Sequence, residues 1–231
     1  MSVHSTYLPG SFYEEPDVEG SISDLTAEEA KGLAFGGDAL ACPRDKWRGA
    51  TVPLLEEVLR FVKDYDASSR TEVKIELKGP DTERPVLELV ERLDMVDRCT
   101  YISFDHERLR RVRKLRPQRR ADGTHAYRTG AVFAQAPADF VEKARDVDAT
   151  EVHLRYDTCT RTNVEAVRKA GLVSVCWFRG PRAMRDDLRR FRDVDGEDED
   201  LYRMLLLTGV QAVTANRAGR LVDLVADMYE Q

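Results

Sequence analysis

Two charged residues, two positions apart, give the clearest chemical signal in this sequence. Glu76 and Lys78 end a short run, residues 73–78, in which apolar and charged side chains alternate. A carboxylate can bind a divalent cation, and an ammonium group beside it can neutralise phosphoryl oxygens. The same spacing also fits a structural ion pair, or an edge strand whose polar face is in water. These two residues alone leave the alternatives open.

A β-strand over residues 73–77 would position these groups. Side chains alternate across a strand, so the apolar residues of the run share one face and Lys74, Glu76 and Lys78 share the other. Because the apolar face can pack against helices, we expect the charged face to point into the interior of the fold. An unpaired charge is costly there, so these side chains should pair or bind a ligand.

Strand and helix patterns alternate along the rest of the chain. Runs rich in β-branched and aromatic residues predict strands over residues 73–77, 100–104, 129–133, 151–156, 174–178 and 211–214. Apolar residues at helical spacing predict helices over residues 52–62, 86–93, 106–115, 137–146, 161–170 and 201–207. This alternation indicates parallel strands with crossover helices, in a barrel or in an open doubly wound sheet. Both architectures place a site at the carboxyl ends of the strands.

The composition narrows the range of partners. Lys and Arg total 36 against 42 Asp and Glu, a net charge of −6, so no overall basic field would attract nucleic acid or an anionic membrane. A local basic run over residues 108–120 is interpreted as a solvated helix face and loop rather than a phosphate-binding segment.

The cysteines and the apolar stretches bear on the location of the protein. Four widely spaced cysteines without a C-x-x-C pair indicate reduced thiols and a cytoplasmic location. No apolar stretch is long enough to predict a transmembrane segment.

Several motifs occur in an order that resembles one enzyme family, the glycerophosphodiester phosphodiesterases. A proline-headed helix, residues 52–59, precedes Ile75-Glu76-Leu77-Lys78. A Ser-Phe pair follows at Ser103-Phe104, then a Gly-Leu turn leads into a strand that carries Trp177, and a Gly-Val strand begins at Gly209. The match extends over nearly the whole chain, which makes it more specific than any single motif.

The resemblance implies a fold and a reaction. The fold is a TIM-type (β/α) barrel of the PLC-like phosphodiesterase type. It forms a single domain over residues 1–231, with a polar insertion at about residues 10–50 and the remaining barrel from about residue 51. The reaction cleaves a small-molecule glycerophosphodiester to glycerol 3-phosphate and an alcohol with a divalent cation, Mg²⁺ or Ca²⁺. The resemblance implies that Glu76 binds the metal, that Lys78 contacts a phosphate or a carboxylate, and that His4 transfers a proton. Trp177 would form a wall for the glycerol, and a plain core position for it stays open.

Parts of the family pattern have no counterpart in this sequence. The first strand with its His-Arg pair, its Glu-Asn-Thr turn, and the strand with a Glu-x-Asp metal pair are missing. We therefore expect a chain that lacks the first strands of the barrel, either through N-terminal incompleteness or as a degenerate relative. The alternative function is a catalytically impaired pseudoenzyme or a phosphate-binding barrel remnant.

A further histidine, His153, shares its strand face with Arg155 and could line the mouth of the barrel.

Overall fold

The computed structural model describes residues 24–34, 49–66, 68, 70–178, 198–215 and 217–229. The chain divides into two compact units, one of residues 1–71 with 181–192 and the other of residues 72–180 with 193–231. The single domain expected over residues 1–231 stays a prediction.

The described part of the first unit holds two helices. Helix α1, Ala27–Gly32, begins at a capping box, in which the Thr26 side chain accepts from the Glu29 backbone N–H and the Glu29 carboxylate accepts from the Thr26 backbone N–H. Helix α2, Leu55–Tyr65, buries Leu59 and begins three residues after the start of the predicted helix. Lys31 and Glu57 join the two helices through an ion pair of 2.6 Å.

The second unit alternates strands and helices, as the sequence predicts. In chain order the elements are β1 (Val73–Glu76), α3 (Glu83–Arg92), a 3-10 turn (Val96–Arg98), β2 (Cys99–Ser103), α4 (His106–Leu115), β3 (Arg128–Phe133), α5 (Phe140–Asp146), β4 (Glu151–Arg155), α6 (Arg161–Lys169), β5 (Val173–Trp177), α7 (Glu199–Leu206), β6 (Ala212–Thr214) and α8 (Ala218–Tyr229). The first and last residues of each predicted strand lie within two residues of those of an observed strand. Helix α8 was not predicted.

The six strands pair in sequence order, β1-β2-β3-β4-β5-β6, and every pair is parallel. In a doubly wound sheet the strand order reverses at a switch point, whereas in a barrel each crossover advances in the same direction. The observed order contains no reversal. The barrel prediction is therefore confirmed, and the open doubly wound sheet is excluded for the described strands.

The main apolar core lies between one face of this sheet and the helices. Alternate residues of β3, β4 and β5 contribute Ala131, Phe133, Val152, Leu154 and Cys176, all of them buried. The helices α4 to α8 cover this face with buried apolar side chains, among them Leu109, Phe140, Ala144, Val164, Val167, Tyr202, Leu205 and Leu224. Because strand side chains alternate, the opposite face of the sheet is left to line the interior.

The basic run over residues 108–120 is partly solvated, as interpreted, but it is also tied into the fold. Arg108 and Arg111 both bind the carboxylate of Glu83, at 3.2 and 3.0 Å, and the Glu83 side chain is only 4% exposed. Arg116 binds the two carboxylate oxygens of Glu91 through Nε and Nη2. The run therefore holds α4 and the loop after it against α3. The partners lie about 25 residues upstream, beyond the range of local sequence patterns.

Tyr101 yields a stability prediction. Its side chain is fully buried, and its hydroxyl has no hydrogen-bond partner among the described residues. A buried hydroxyl without a partner costs free energy, so Tyr101→Phe should raise the free energy of unfolding by about 1 kcal/mol in urea denaturation. Tyr127→Phe is the matched control, because its hydroxyl donates to Glu91 at 2.7 Å and its loss should be destabilising by about 1 kcal/mol. A less stable Tyr101→Phe variant would contradict the prediction.

Candidate active site

The carboxyl end of β1 presents the predicted Glu76 and Lys78 pair. Lys78 Nζ lies 3.1 Å from Glu76 Oε2, and the two side chains are 29% and 26% exposed. The other carboxylate oxygen, Glu76 Oε1, is buried and has no hydrogen-bond partner among the described residues. The ion pair that the sequence left open as an alternative is therefore present, but it involves only one of the two carboxylate oxygens of Glu76.

One ion pair shows that the charged face of β1 points inward. Lys74 Nζ lies 2.6 Å from Glu151 Oε1, although Lys74 is on β1 and Glu151 is on β4, three strands away in the sheet. Side chains of such distant strands can meet only across the concave face of a curved sheet. Glu76 shares this face because it is two residues further along the same strand.

Trp177 lies at the same end of the sheet as this pair. It is the last residue of β5, it is half-buried, and its indole N–H donates to the Phe133 carbonyl at 3.3 Å. Phe104, which directly follows β2, packs edge-on against Trp177 with ring centroids 5.3 Å apart. The backbone N–H of Leu77 bonds to Ile102, so the pairing of β1 with β2 continues to the positions just before Lys78 and Phe104.

The structure thus brings Glu76 and Lys78 into contact and places Trp177 at the same carboxyl end of the sheet. The fourth predicted site residue, His4, lies outside the described residues. The sequence had named Phe104 only as part of a motif. Its 47% exposure and its contact with Trp177 extend the aromatic surface at this end.

The donor atoms decide which kind of metal site would fit. Among residues 24–34, 49–66, 68, 70–178, 198–215 and 217–229, no three His, Cys, Asp or Glu side chains group so that they could hold a metal ion. The buried, unpartnered Glu76 Oε1 nevertheless offers one hard oxygen ligand. Mg²⁺ keeps several of its waters and binds through one or two carboxylates plus substrate phosphate. Glu76 fits one ligand of such a hydrated cation.

Beneath this end of the sheet lies a polar cluster whose contacts the sequence did not reveal. Glu151 Oε1 accepts from Lys74, and Glu151 Oε2 lies 2.9 Å from His153 Nε2. Burial alone raises the pKa of the Glu151 carboxyl, but the hydrogen bond from His153 and the ammonium of Lys74 outweigh it and hold that pKa below its ordinary value. His153 is 2% exposed, so it is a buried interior residue and does not line the mouth.

One sequence signal could have suggested this cluster. Residues 151–155 alternate polar and apolar side chains, with Glu151, His153 and Arg155 on one face, as residues 73–78 do. Two strands with complementary charges on their inward faces are candidates for contact across a barrel. Which charges meet depends on the strand register and on the curvature of the sheet, and neither can be read from one strand.

Parallel strands in sequence order, with charged and aromatic side chains gathered at their carboxyl ends, define a (β/α)-barrel enzyme. None of the described helices is long and apolar enough to cross a membrane. The model of the glycerophosphoryl diester phosphodiesterase family matches residues 10–220. The chain belongs to this family of enzymes.

Known relatives agree with the family match. A glycerophosphodiester phosphodiesterase of Caldanaerobacter subterraneus subsp. tengcongensis is 24% identical over 212 residues, which are 90% of this chain and 74% of the relative. One of Bacillus altitudinis is 35% identical over 106 residues, 44% of this chain and 40% of the relative. Among solved structures, an Oleispira antarctica phosphodiesterase in complex with sn-glycerol-3-phosphate has a TM-score of 0.70 at 17% identity, with 97% of this chain and 78% of that chain covered.

Proposed function

We propose that the protein hydrolyses glycerophosphodiesters to glycerol 3-phosphate and an alcohol with the help of a divalent cation, Mg²⁺ or Ca²⁺. The observation that carries the proposal is Glu76 Oε1, a buried carboxylate oxygen without a hydrogen-bond partner among the described residues, at the carboxyl end of a barrel strand. Active sites of such barrels lie at this end. Membership of the phosphodiesterase family supports the reaction class.

Each residue has a physical role in this proposal. Glu76 would bind the cation through Oε1, and the bound cation supplies positive charge for the oxygens of the phosphodiester. Lys78, whose ammonium lies 3.1 Å from Glu76, would contact those oxygens directly. Trp177 and Phe104 would form an apolar wall for the glycerol backbone. For His4 we retain the proton-transfer role that the resemblance implies.

The proposed setting is glycerophospholipid metabolism in the cytoplasm. Glycerophosphodiesters are what remains of glycerophospholipids when their acyl chains are removed. The three cysteines in the described part of the chain, Cys99, Cys159 and Cys176, are free and buried, which supports a reducing compartment.

An assay of glycerol 3-phosphate release tests the proposed reaction. The full chain is incubated with glycerophosphocholine in Mg²⁺, in Ca²⁺ or in EDTA, and glycerol 3-phosphate is measured by a coupled dehydrogenase. We expect release with at least one cation and a loss of at least about 100-fold in EDTA, because the charge on the phosphoryl oxygens is then not neutralised. A folded chain that releases no product with either cation would overturn the proposal. Such a result would favour the pseudoenzyme alternative.

A further inference from the structure

The backbone on both sides of Lys78 is bound by side chains from the segment that leads from β2 into α4. The carbonyl of Leu77, the residue before the lysine, accepts from Ser103 Oγ at 2.8 Å. The carbonyl of Gly79, the residue after it, accepts from Arg108 Nη1. Lys78 therefore lies between two carbonyls that are each held by a side chain.

The contact made by Ser103 is buried and well defined. Ser103 and Leu77 are each 2% exposed, so water does not compete for this hydrogen bond. The hydroxyl also accepts from the backbone N–H of Asp105 at 3.2 Å, which fixes its orientation. The contact extends the joining of β1 and β2 beyond Glu76 and Ile102, the last residues that pair in the two strands.

Arg108 is anchored by two acidic side chains as well as by the backbone. Its side chain is 12% exposed, and it lies 3.2 Å from Glu83 Oε1 and 3.5 Å from Asp105 Oδ2. A guanidinium has five N–H donors in a rigid fork, so it can serve these acceptors and the Gly79 carbonyl together. Thr82 Oγ1 donates to the same carbonyl at 3.0 Å. Because two carboxylates already oppose its charge, we assign Arg108 to the backbone contact rather than to phosphate.

The segment that holds this backbone also carries part of the aromatic surface. Phe104 lies between Ser103 and Arg108 in the chain, and its ring centroid is 5.3 Å from that of Trp177. One continuous segment thus binds the backbone beside Lys78 and supplies a ring of the apolar wall. The position of the ammonium relative to this wall depends on that segment.

We infer that Ser103 and Arg108 are positioning residues for Lys78. A lysine has a flexible four-carbon stem, and a mobile backbone would add freedom that has to be lost when a ligand binds. Holding the carbonyls of Leu77 and Gly79 removes part of that loss in advance. The inference rests on the phosphate contact of Lys78 in the proposed function, and it gives roles to two residues for which the resemblance implies none.

Calorimetric titration with sn-glycerol 3-phosphate at constant Mg²⁺ tests this role without turnover. Arg108→Lys keeps the charge but loses the fork that reaches Glu83 and Gly79 together. Arg111→Lys is the matched control, because Arg111 binds the same Glu83 oxygen at 3.0 Å, whereas of the two arginines only Arg108 contacts Gly79 in the described part of the chain. We expect binding to weaken about 10-fold in Arg108→Lys and less than about 2-fold in Arg111→Lys. Equal losses in the two variants would overturn the inference.

A double-mutant cycle with Lys78 separates positioning from a general structural effect. Lys78→Met alone should weaken binding by about 30-fold, because a charge-assisted hydrogen bond to the phosphate is lost. In that background Arg108→Lys should change the affinity by less than about 2-fold, since the group through which it acts is absent. The same loss with and without Lys78 would show that Arg108 acts independently of the lysine, and it would overturn the inference.

Amide hydrogen exchange reports on the same backbone without any ligand. We expect faster exchange over residues 77–82 in Arg108→Lys and in Ser103→Ala, because each frees one carbonyl next to Lys78 and lowers the cost of local opening. Arg111→Lys and Ser103→Thr, which keeps the hydroxyl, should exchange at the original rate. Unchanged exchange in whichever of Arg108→Lys and Ser103→Ala folds would contradict the proposed hold on this backbone.

These readouts distinguish the inference from the proposed hydrolysis. Binding of sn-glycerol 3-phosphate that depends on Lys78 and Arg108, in a chain that releases none from glycerophosphocholine, would support the inference and contradict the hydrolysis. Release of glycerol 3-phosphate with equal affinity in the unmodified chain and in folded Arg108→Lys would support the hydrolysis and contradict the positioning role. A folded, unmodified chain that does not bind sn-glycerol 3-phosphate would overturn the inference.

Discussion

Glu76→Gln is expected to lower kcat/KM for glycerophosphocholine by about 1,000-fold, or roughly 4 kcal/mol of transition-state stabilisation. The amide has the shape of the carboxylate but no negative charge with which to hold a cation at Oε1. Initial rates at saturating Mg²⁺ measure the effect. Thermal unfolding should show little change in Tm, because Oε1 has no hydrogen bond to lose among the described residues and the part-exposed ion pair of Oε2 with Lys78 contributes little.

Glu88→Gln is the matched control for Glu76→Gln. Glu88 is on the surface of α3, its side chain is 57% exposed, and its pairing with Arg84 is long, at 4.0 Å. The substitution removes the same charge from the chain far from the interior face, so we expect the rate of the unmodified protein. A folded Glu76→Gln variant with more than a tenth of the original activity would rule out the metal-ligand role of Glu76.

Glu151→Gln is expected to lower the free energy of unfolding by about 3 kcal/mol, because it breaks the buried ion pair with Lys74. This value is at the low end for such a loss, since the Lys74 side chain is 27% exposed. For a chain of this size the loss corresponds to a fall in Tm of roughly 6 to 12 °C. Calorimetry or urea denaturation at pH 7 measures it. The double variant Lys74→Met with Glu151→Leu tests the cause, because removing both charges should cost less than the sum of the two single changes.

The effect of Glu151→Gln should depend on pH. The pKa of the Glu151 carboxyl is lowered in the folded chain, so between the two pKa values the unfolded chain binds more protons. Its contribution to stability is therefore complete above the unfolded pKa, about 4.3, and is lost as the pH falls through the folded pKa. The difference in unfolding free energy between the unmodified chain and Glu151→Gln should shrink below about pH 4. A difference that stays constant to pH 3 would show that charge is not its source.

Local patterns were enough to predict the six strands, helices α2 to α7 and the inward face of β1. The apolar face of a short strand has to pack on helices, so the charged face of β1 was expected to point into the interior. The contact of Lys74 with Glu151 confirms that orientation. The contacts themselves were beyond prediction. Lys74 and Glu151 are 77 residues apart, and the partners of Arg108 and Arg116 are 25 residues away. Such pairings depend on strand register, sheet curvature and helix packing.

The sequential strand order has a consequence for how the chain is made. Each strand pairs with the one just before it, so during synthesis on the ribosome a new strand finds its neighbour already in place. The ion pair between Lys74 and Glu151 differs from these strand pairings, because it can form only after β4 has been translated. Nascent chains arrested before residue 151 should therefore hold paired early strands and still be easily unfolded by mechanical force. Resistance to force should rise once Glu151 has emerged.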